Sequence, residues 1–403
     1  MMNAKITPVL LGADLNCYNV ARAFHEEYGV ISHAFGRYAI GATMNSKIVK
    51  FTAIPDFDTS EKMVEVLNDF AKKHKGEKLI VMGCTDDYVS LIIKNKEKLD
   101  PAYIAPYTTK ELIDEITLKE HFYEYCEKYG IPYPKTKVVA KGDSIDDIGF
   151  DYPIIVKPSS SVLYWKHEFE GMKKVYRAKS KEEAQKIIDD IYASGYPDKI
   201  ILQDTIPGND NSMYVLTSYS DKDANVRMMC LGHVLLEEHT PKGLGNHCAI
   251  ITERNDEIMQ KMKKFLEEIH FVGYSNFDIK YDSRDGSYRA FEINVRQGRS
   301  NYYVTASGNN IAKQIVEDRI ENKPFTETKF NSNEIYWRYV PDKVVYNYIT
   351  DEQKAKVKSL IKAKKAYSSM RYKFDLKGNI KRFAFVNIHE HNHIKKFKTY
   401  YKI

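Results

Sequence analysis

Apolar and polar positions along the first hundred residues switch between two periods. Residues 6–11 form a short apolar run that reads as a buried strand, and 17–28 repeat their apolar positions at helical spacing. The same alternation continues with a strand at 47–51, a helix at 59–73, a strand at 78–82 and a helix at 86–98. Strand and helix in turn predict a parallel sheet covered by helices, here a Rossmann-like domain over residues 1–108. Gly-x-Gly-x-x-Gly does not follow the first strand, which argues against nicotinamide or flavin.

Beyond residue 108 the pattern changes. Residues 109–130 read as two helices, 181–193 and 255–270 as one each, and 152–158, 199–202, 213–220, 227–237 and 248–252 as strands. Thr117 and Glu120 match a capping box, which sets Lys119 in a first helical turn where free N–H groups favour an anion. Lys157 closes an apolar strand just before a loop, a placement that suits a phosphate contact. Residues 159–171, opening on Ser159, Ser160 and Ser161, read as a flap over phosphates or as a plain hairpin. The P-loop pattern is missing. At Ile206, Pro207 and Gly208 the strand stops being regular and releases backbone groups of the kind adenine uses. The glycine-rich, charged loop 238–247 suits a mobile substrate loop.

Residues 271–299 read as two strands around an Asp285-Gly286 turn. Folding there brings Asp278 opposite Glu292, with Asn294 on the same face of its strand and Arg296 next along it. Such hard oxygen donors suit Mg²⁺, and the same residues also fit a solvated acidic face.

Residues 328–403 read as a small α+β module with a strand near 334–340, a basic helix at 352–365 and a hairpin through Lys377, Gly378 and Asn379. His389, His391 and His393 would share one face of a strand, a metal-like spacing, but without a further ligand in view the row reads as surface.

Charge divides the chain unevenly. Its net charge is +6, yet residues 351–403 carry 13 Lys and 2 Arg against 4 acids, a balance of +11. That tail suits phosphates or an anionic membrane surface, or simply solubility. Five scattered cysteines without a Cys-x-x-Cys pair fit a reducing compartment, and no apolar run reaches the length of a membrane span, so a cytoplasmic protein is expected. Length and a 43% hydrophobic content allow two or three domains.

Taken in order, these motifs resemble the ATP-grasp superfamily of carboxylate–amine ligases. The resemblance covers roughly residues 5–325 and implies an α/β (α+β) ATP-grasp fold. It implies a pre-ATP-grasp domain over 1–108, a two-lobed ATP-grasp domain over 109–327 and the basic module over 328–403. It also implies that Lys119, Lys157 and Ser160 contact ATP phosphates, Gln203, Asp204 and Ile206 the adenine, and Asp210 the ribose. Asp278, Glu292 and Asn294 would hold Mg²⁺, with two ions expected and Mn²⁺ as a substitute. Arg296 and Arg299 would grip acyl phosphate or substrate carboxylate. D-alanine–D-alanine ligases have an arginine where this chain has Asn276.

Residues 6–24 and 123–136 look like D-aspartate ligases of Gram-positive bacteria. That implies amide formation between the β-carboxylate of D-aspartate and the lysine amine of a peptidoglycan precursor, through an acyl phosphate. Partners are then ATP, an amino acid and the precursor, without nucleic acid and with a weak membrane attraction by the tail. A homodimer is common among such relatives. The alternatives are a ligase for other amino acids or metabolites, and a non-catalytic nucleotide-binding protein.

Overall fold

Short strands start the chain, and three of them lead into capped helices. Strand Ile6–Leu11 is buried and leads to Asp14, whose side chain caps helix Leu15–Tyr28 by accepting from the Cys17 N–H. Thr59 and Thr85 cap Ser60–Lys73 and Asp86–Asn95 in the same way. The parallel sheet runs in space Val49–Ala53, Ser32–Gly36, Ile6–Leu11, Lys78–Gly83, Tyr103–Ile104. Strand Ser32–Gly36, too short and mixed to stand out in the sequence, completes it.

The computed structural model describes residues 5–241, 243–331 and 333–401. Lys242 of the loop 238–247 and Lys402 of the basic tail lie outside them, as do the side chains of Ser161 and Val162. The chain divides into two units. The first holds residues 1–110, 210–277 and 294–403; the second holds 111–209 and 278–293.

The first unit contains the parallel sheet and most of a larger, mainly antiparallel one. That sheet runs Ser287–Asn294, Gly273–Asp282, Met213–Ser220, Val226–Glu237, His247–Glu253, Tyr336–Arg338, Ala366–Ser368, with Lys329–Phe330 beside Val226–Glu237. Gly273 adopts φ +99°, and a Cβ there would lie 2.1 Å from the Pro106 carbonyl oxygen, so only glycine permits its bridge to Tyr107.

The C-terminal residues build into this unit. Tyr336–Arg338 pairs antiparallel with His247–Glu253, and Trp337 is fully buried. Residues 373–400 are helical, Lys373–Leu376 and then Ile380–Tyr400, where the sequence suggested a hairpin. Asn379 caps the long helix instead of turning a strand. The histidine row is therefore not a strand, and of the three only His391 lies at the surface. On a helix His389 and His393 are one turn apart and face inward against Tyr339, while His391 is exposed.

The second unit has a four-stranded antiparallel sheet in the order Thr136–Val139, Ile200–Asp204, Ile154–Pro158, Tyr176–Ala178, backed by helix Lys181–Ala193. Helix Lys119–Tyr129 has Leu118, not Thr117, at its N-cap position. The Thr117 hydroxyl donates to the Ile113 carbonyl and Glu120 accepts from Ser159, so the expected capping box does not form. A capping box does form at Thr350 and Gln353. Residues 159–171 make a four-residue helix, Ser161–Tyr164, and turns; they do not form a hairpin.

Candidate active site

The second unit holds eight of the expected residues and gathers five of them, Lys119, Lys157, Gln203, Asp278 and Glu292. Lys157 is the penultimate residue of strand Ile154–Pro158, and its ammonium donates to Oε1 of Gln203 at 3.0 Å and to the Tyr123 hydroxyl at 3.2 Å. Gln203 spends its amide on Tyr123 and Thr136, each at 2.9 Å. The Tyr123 hydroxyl donates to the Phe291 carbonyl at 2.9 Å. Lys119 opens helix Lys119–Tyr129 and donates to the Ser159 carbonyl at 3.2 Å. Both lysines are buried.

Opposite charge balances this pair. The hairpin turns over residues 283–286, as its Asp-Gly signal predicts, and a side-chain hydrogen bond joins Glu292 to Asp278. Burial raises the Glu292 carboxyl, but Lys119, Lys174, Lys157 and the Asp278 bond outweigh it and hold the group well below its usual range. Burial pulls both lysines down. Lys119, supported by Glu292 and opposed by Lys157 and Lys174, stands at about 8. Lys157, supported by Glu292 and Asp278 and opposed by Lys174, also stands at about 8.

Among the described residues no group of three or more His, Cys, Asp or Glu side chains is placed to hold a metal ion. Two adjoining carboxylates ringed by cations fit Mg²⁺ that takes its remaining ligands from phosphate and water.

The strand Ile200–Asp204 accounts for the next residues. Gln203 lies inside the sheet, in register with Thr136 on one side and Ile155 on the other. Asp204 receives Arg284 at 2.6 and 3.3 Å. The carbonyls of Ile206 and Gly208 are not left open: Lys280 donates to them at 3.0 and 2.9 Å. The Ser160 hydroxyl caps the short helix by accepting from the Leu163 N–H at 3.3 Å.

The first unit holds the others. Asp210 is buried and accepts from the Glu237 N–H and from His239, both at 3.0 Å. Arg296 closes on both oxygens of Asp86, at 2.7 and 2.8 Å, and reaches Oδ1 of Asn294 at 3.3 Å. Arg299 stacks its guanidinium 4.7 Å from the centre of the Tyr339 ring. Asn276 accepts from Thr217 at 2.9 Å, and a Cβ on Gly298 would lie 2.5 Å from its Oδ1. That contact leaves no room for a side chain at position 298.

Tyr123, Lys174 and Lys280 escaped the sequence reading. Lys280 follows Asp278 by two positions on one strand, a same-face spacing that could have marked it. Tyr123 and Lys174 carry no comparable signal.

No family model matches the sequence. A D-aspartate ligase from Enterococcus faecium (strain Aus0004) is 40% identical over 414 residues, covering 100% of this chain and 98% of that protein. The chain belongs to the D-aspartate ligase family. It is an ATP-dependent carboxylate–amine ligase, as the ordered motifs implied. Solved structures agree on the ATP-grasp fold. An L-amino acid ligase from Bacillus licheniformis has a TM-score of 0.56 at 14% identity, covering 78% of this chain and 74% of that one. An N5-carboxyaminoimidazole ribonucleotide synthetase in its ADP complex reaches 0.59 at 13%, covering 86% and 85%. A biotin carboxylase from Campylobacter jejuni, complexed with an ATP analogue, reaches 0.60 at 13%, covering 82% and 74%. Among the described residues of this family member, no helix is long and apolar enough to cross a membrane, and all five cysteines are free and buried.

Proposed function

We propose that this ligase joins the β-carboxylate of D-aspartate to the side-chain amine of lysine in a peptidoglycan precursor, releasing ADP and phosphate. The observation that carries this reading is the 40% identity, over the whole chain, to a protein named D-aspartate ligase. The buried lysines and the adjoining carboxylates supply what the first half-reaction needs.

The carboxylate oxygen of the donor attacks the γ-phosphorus of ATP, the bond to the β,γ-bridging oxygen breaks, and ADP leaves. The lysine amine then attacks the acyl carbon, loses a proton, and phosphate departs as the amide forms. Lys119 and Lys157 hold the phosphates, and Ser160 adds a hydrogen bond from the helix it caps. Gln203, Asp204 and Ile206 frame the adenine, and Asp210 takes the ribose hydroxyls. Asp278, Glu292 and Asn294 would hold Mg²⁺, two ions by this reading, which supplies charge neutralisation to the phosphates. Arg296 and Arg299 orient the acyl phosphate and the substrate carboxylate. Positioning and charge do most of this chemistry.

The functional division follows the three parts read from sequence: 1–108, 109–327 and 328–403. The reading places the enzyme in the cytoplasm, as a homodimer. Its basic tail draws the diphosphate of the carrier-linked acceptor and, weakly, an anionic membrane surface.

The test is ADP release with a panel of D- and L-amino acids, with and without a nucleotide-linked muropeptide, and with product mass as readout. D-Aspartate with the muropeptide should give the only efficient turnover and an adduct heavier by one aspartyl residue. Efficient turnover with another amino acid, or with a small metabolite as acceptor, overturns the reading.

A further inference from the structure

Arg296 and Arg299 differ in what they have left to give. Arg296 is closed by Asp86 and Asn294. Nη1 of Arg299 is shielded from solvent and has no hydrogen-bond partner. The guanidinium lies over the Tyr339 ring, and the Tyr339 hydroxyl meets Nε2 of His389 at 2.7 Å. Nε2 of His393 lies 3.2 Å from that same nitrogen. Each histidine leaves Nδ1 buried and unpaired. Three shielded nitrogens without partners in one cluster call for an explanation, because buried polar groups are rarely left unmatched.

The surroundings say what kind of group would match them. Burial, and then the charges of Lys396 and Arg299, hold His389 neutral at about 4. Burial and His389, followed by Lys396 and Arg299, hold His393 near 3. Glu390 is the acid that pulls His389 the other way, and it is taken by Arg371 at 2.5 Å. Of the acids that act on Tyr339, Glu238 faces Lys396 at 4.0 Å and Asp14 caps helix Leu15–Tyr28. The cluster therefore presents cation and ring nitrogens, with its neighbouring carboxylates already engaged. A single carboxylate fits it: a fork for the guanidinium and an acceptor for a neutral imidazole N–H.

We propose that Arg299, Tyr339, His389 and His393 hold the unreacted α-carboxylate of the donor amino acid, so that the C-terminal helix helps to select the substrate. The inference rests on the donor proposed above. Arg299 and His389 would touch the carboxylate, while Tyr339 and His393 are positioning residues whose O–H and Nε2–H meet Nε2 of His389 and leave its proton on Nδ1.

The test is steady-state ADP release by the full chain with D-aspartate varied, for His389→Gln, His393→Gln and Tyr339→Phe. Loss of one hydrogen bond to a charged group predicts a rise of about tenfold or more in KM for D-aspartate in His389→Gln, and a smaller rise in His393→Gln. KM for ATP should stay within about twofold. Tyr339→Phe should raise KM for D-aspartate less, and Arg299→Lys more. If a histidine variant melts early, Tyr339→Phe decides alone, since it removes one oxygen and keeps the ring under Arg299. Unchanged KM for D-aspartate in a wild type that uses D-aspartate overturns this inference alone. A wild type that ignores D-aspartate overturns the proposed function as well.

Discussion

Lys157 donates a hydrogen bond to Oε1 of Gln203 at 3.0 Å, which ties a buried ammonium to the neighbouring inner strand of its sheet. Gln203 is itself held by Tyr123 and Thr136. Gln203→Leu should leave the ammonium short of an acceptor and cost about 1–3 kcal/mol of stability. Gln203→Glu should keep the fold and pair with Lys157, weakening the hold on phosphate. Denaturant unfolding together with KM for ATP checks both. A Glu variant with wild-type KM for ATP would show that Lys157 does not reach the nucleotide.

Both buried lysines stand at about 8, below their ordinary value of 10.5. A folded-state pKa that is lowered means that the charged form is disfavoured in the native protein. ATP-free protein should therefore gain stability as pH rises from about 8 toward 10.5, where the unfolded chain still holds the protons. Phosphate restores the charged form, so nucleotide binding should take up protons across that window. Calorimetric titration of ATP near pH 8.5, in buffers of different ionisation enthalpy, measures the uptake. Absence of any buffer dependence would separate these lysines from the phosphates.

Glu292 is held ionised by three lysines and by Asp278. Glu292→Gln removes that charge and leaves Lys119, Lys157 and Lys174 facing one another. ADP release should fall by roughly a hundredfold or more, as when a group that stabilises developing charge is lost. Circular dichroism should still report a folded chain, at a melting temperature a few degrees lower. Wild-type ADP release by this variant would rule out the carboxylate pair as the metal site.

Much of this arrangement was readable from sequence because it depends on local signals. Period and turn chemistry located the strand that delivers Lys157, the Asp285-Gly286 turn that pairs Asp278 with Glu292, and the helix that opens at Lys119. Signals that depend on distant chain were not readable. Thr117 looks like a cap because the Ile113 carbonyl that accepts from its hydroxyl, and the Ser159 hydroxyl that donates to Glu120, are not visible in a four-residue pattern. The histidines alternate as strand residues do, yet the surrounding face of Arg382, Val386, Glu390, His393 and Phe397 repeats at helical spacing. The Ile206-Pro207-Gly208 break is a local signal, but the lysine that bonds its carbonyls comes from the hairpin, more than seventy residues away.

The basic tail is a separate test of charge. Lys373, Lys377, Lys381, Lys395 and Lys398 are exposed. Replacing all five by glutamine should leave the melting temperature within a few degrees, because exposed lysines contribute little to stability. If the tail attracts a diphosphate-bearing acceptor, KM for that acceptor should rise severalfold at low salt and converge with wild type near 1 M salt, where the Debye length falls to about 3 Å. Equal KM values at low salt would remove the tail from acceptor recognition.

Deleting the tail would be a poor substitute for that experiment, because of Arg382. Its guanidinium is fully buried, 3.1 Å from an equally buried Asp375. It also donates to the Met44 carbonyl at 2.9 Å and lies 4.5 Å from the centre of the Tyr18 ring. Asp375 in turn accepts from the Tyr18 hydroxyl at 2.9 Å and the Lys47 N–H at 2.6 Å. One ion pair thus fastens the C-terminal helix to the first helix and to the loop before the third strand of the parallel sheet. Removing either partner strands a buried charge, and Arg382→Ala or Asp375→Ala should cost about 3–5 kcal/mol. Arg382→Met with Asp375→Leu, which buries no charge, should cost less than either single change. Equilibrium unfolding of the three variants provides the comparison. A double variant as unstable as the sum of the singles would mean that the pair acts through its separate bonds to Met44, Tyr18 and Lys47.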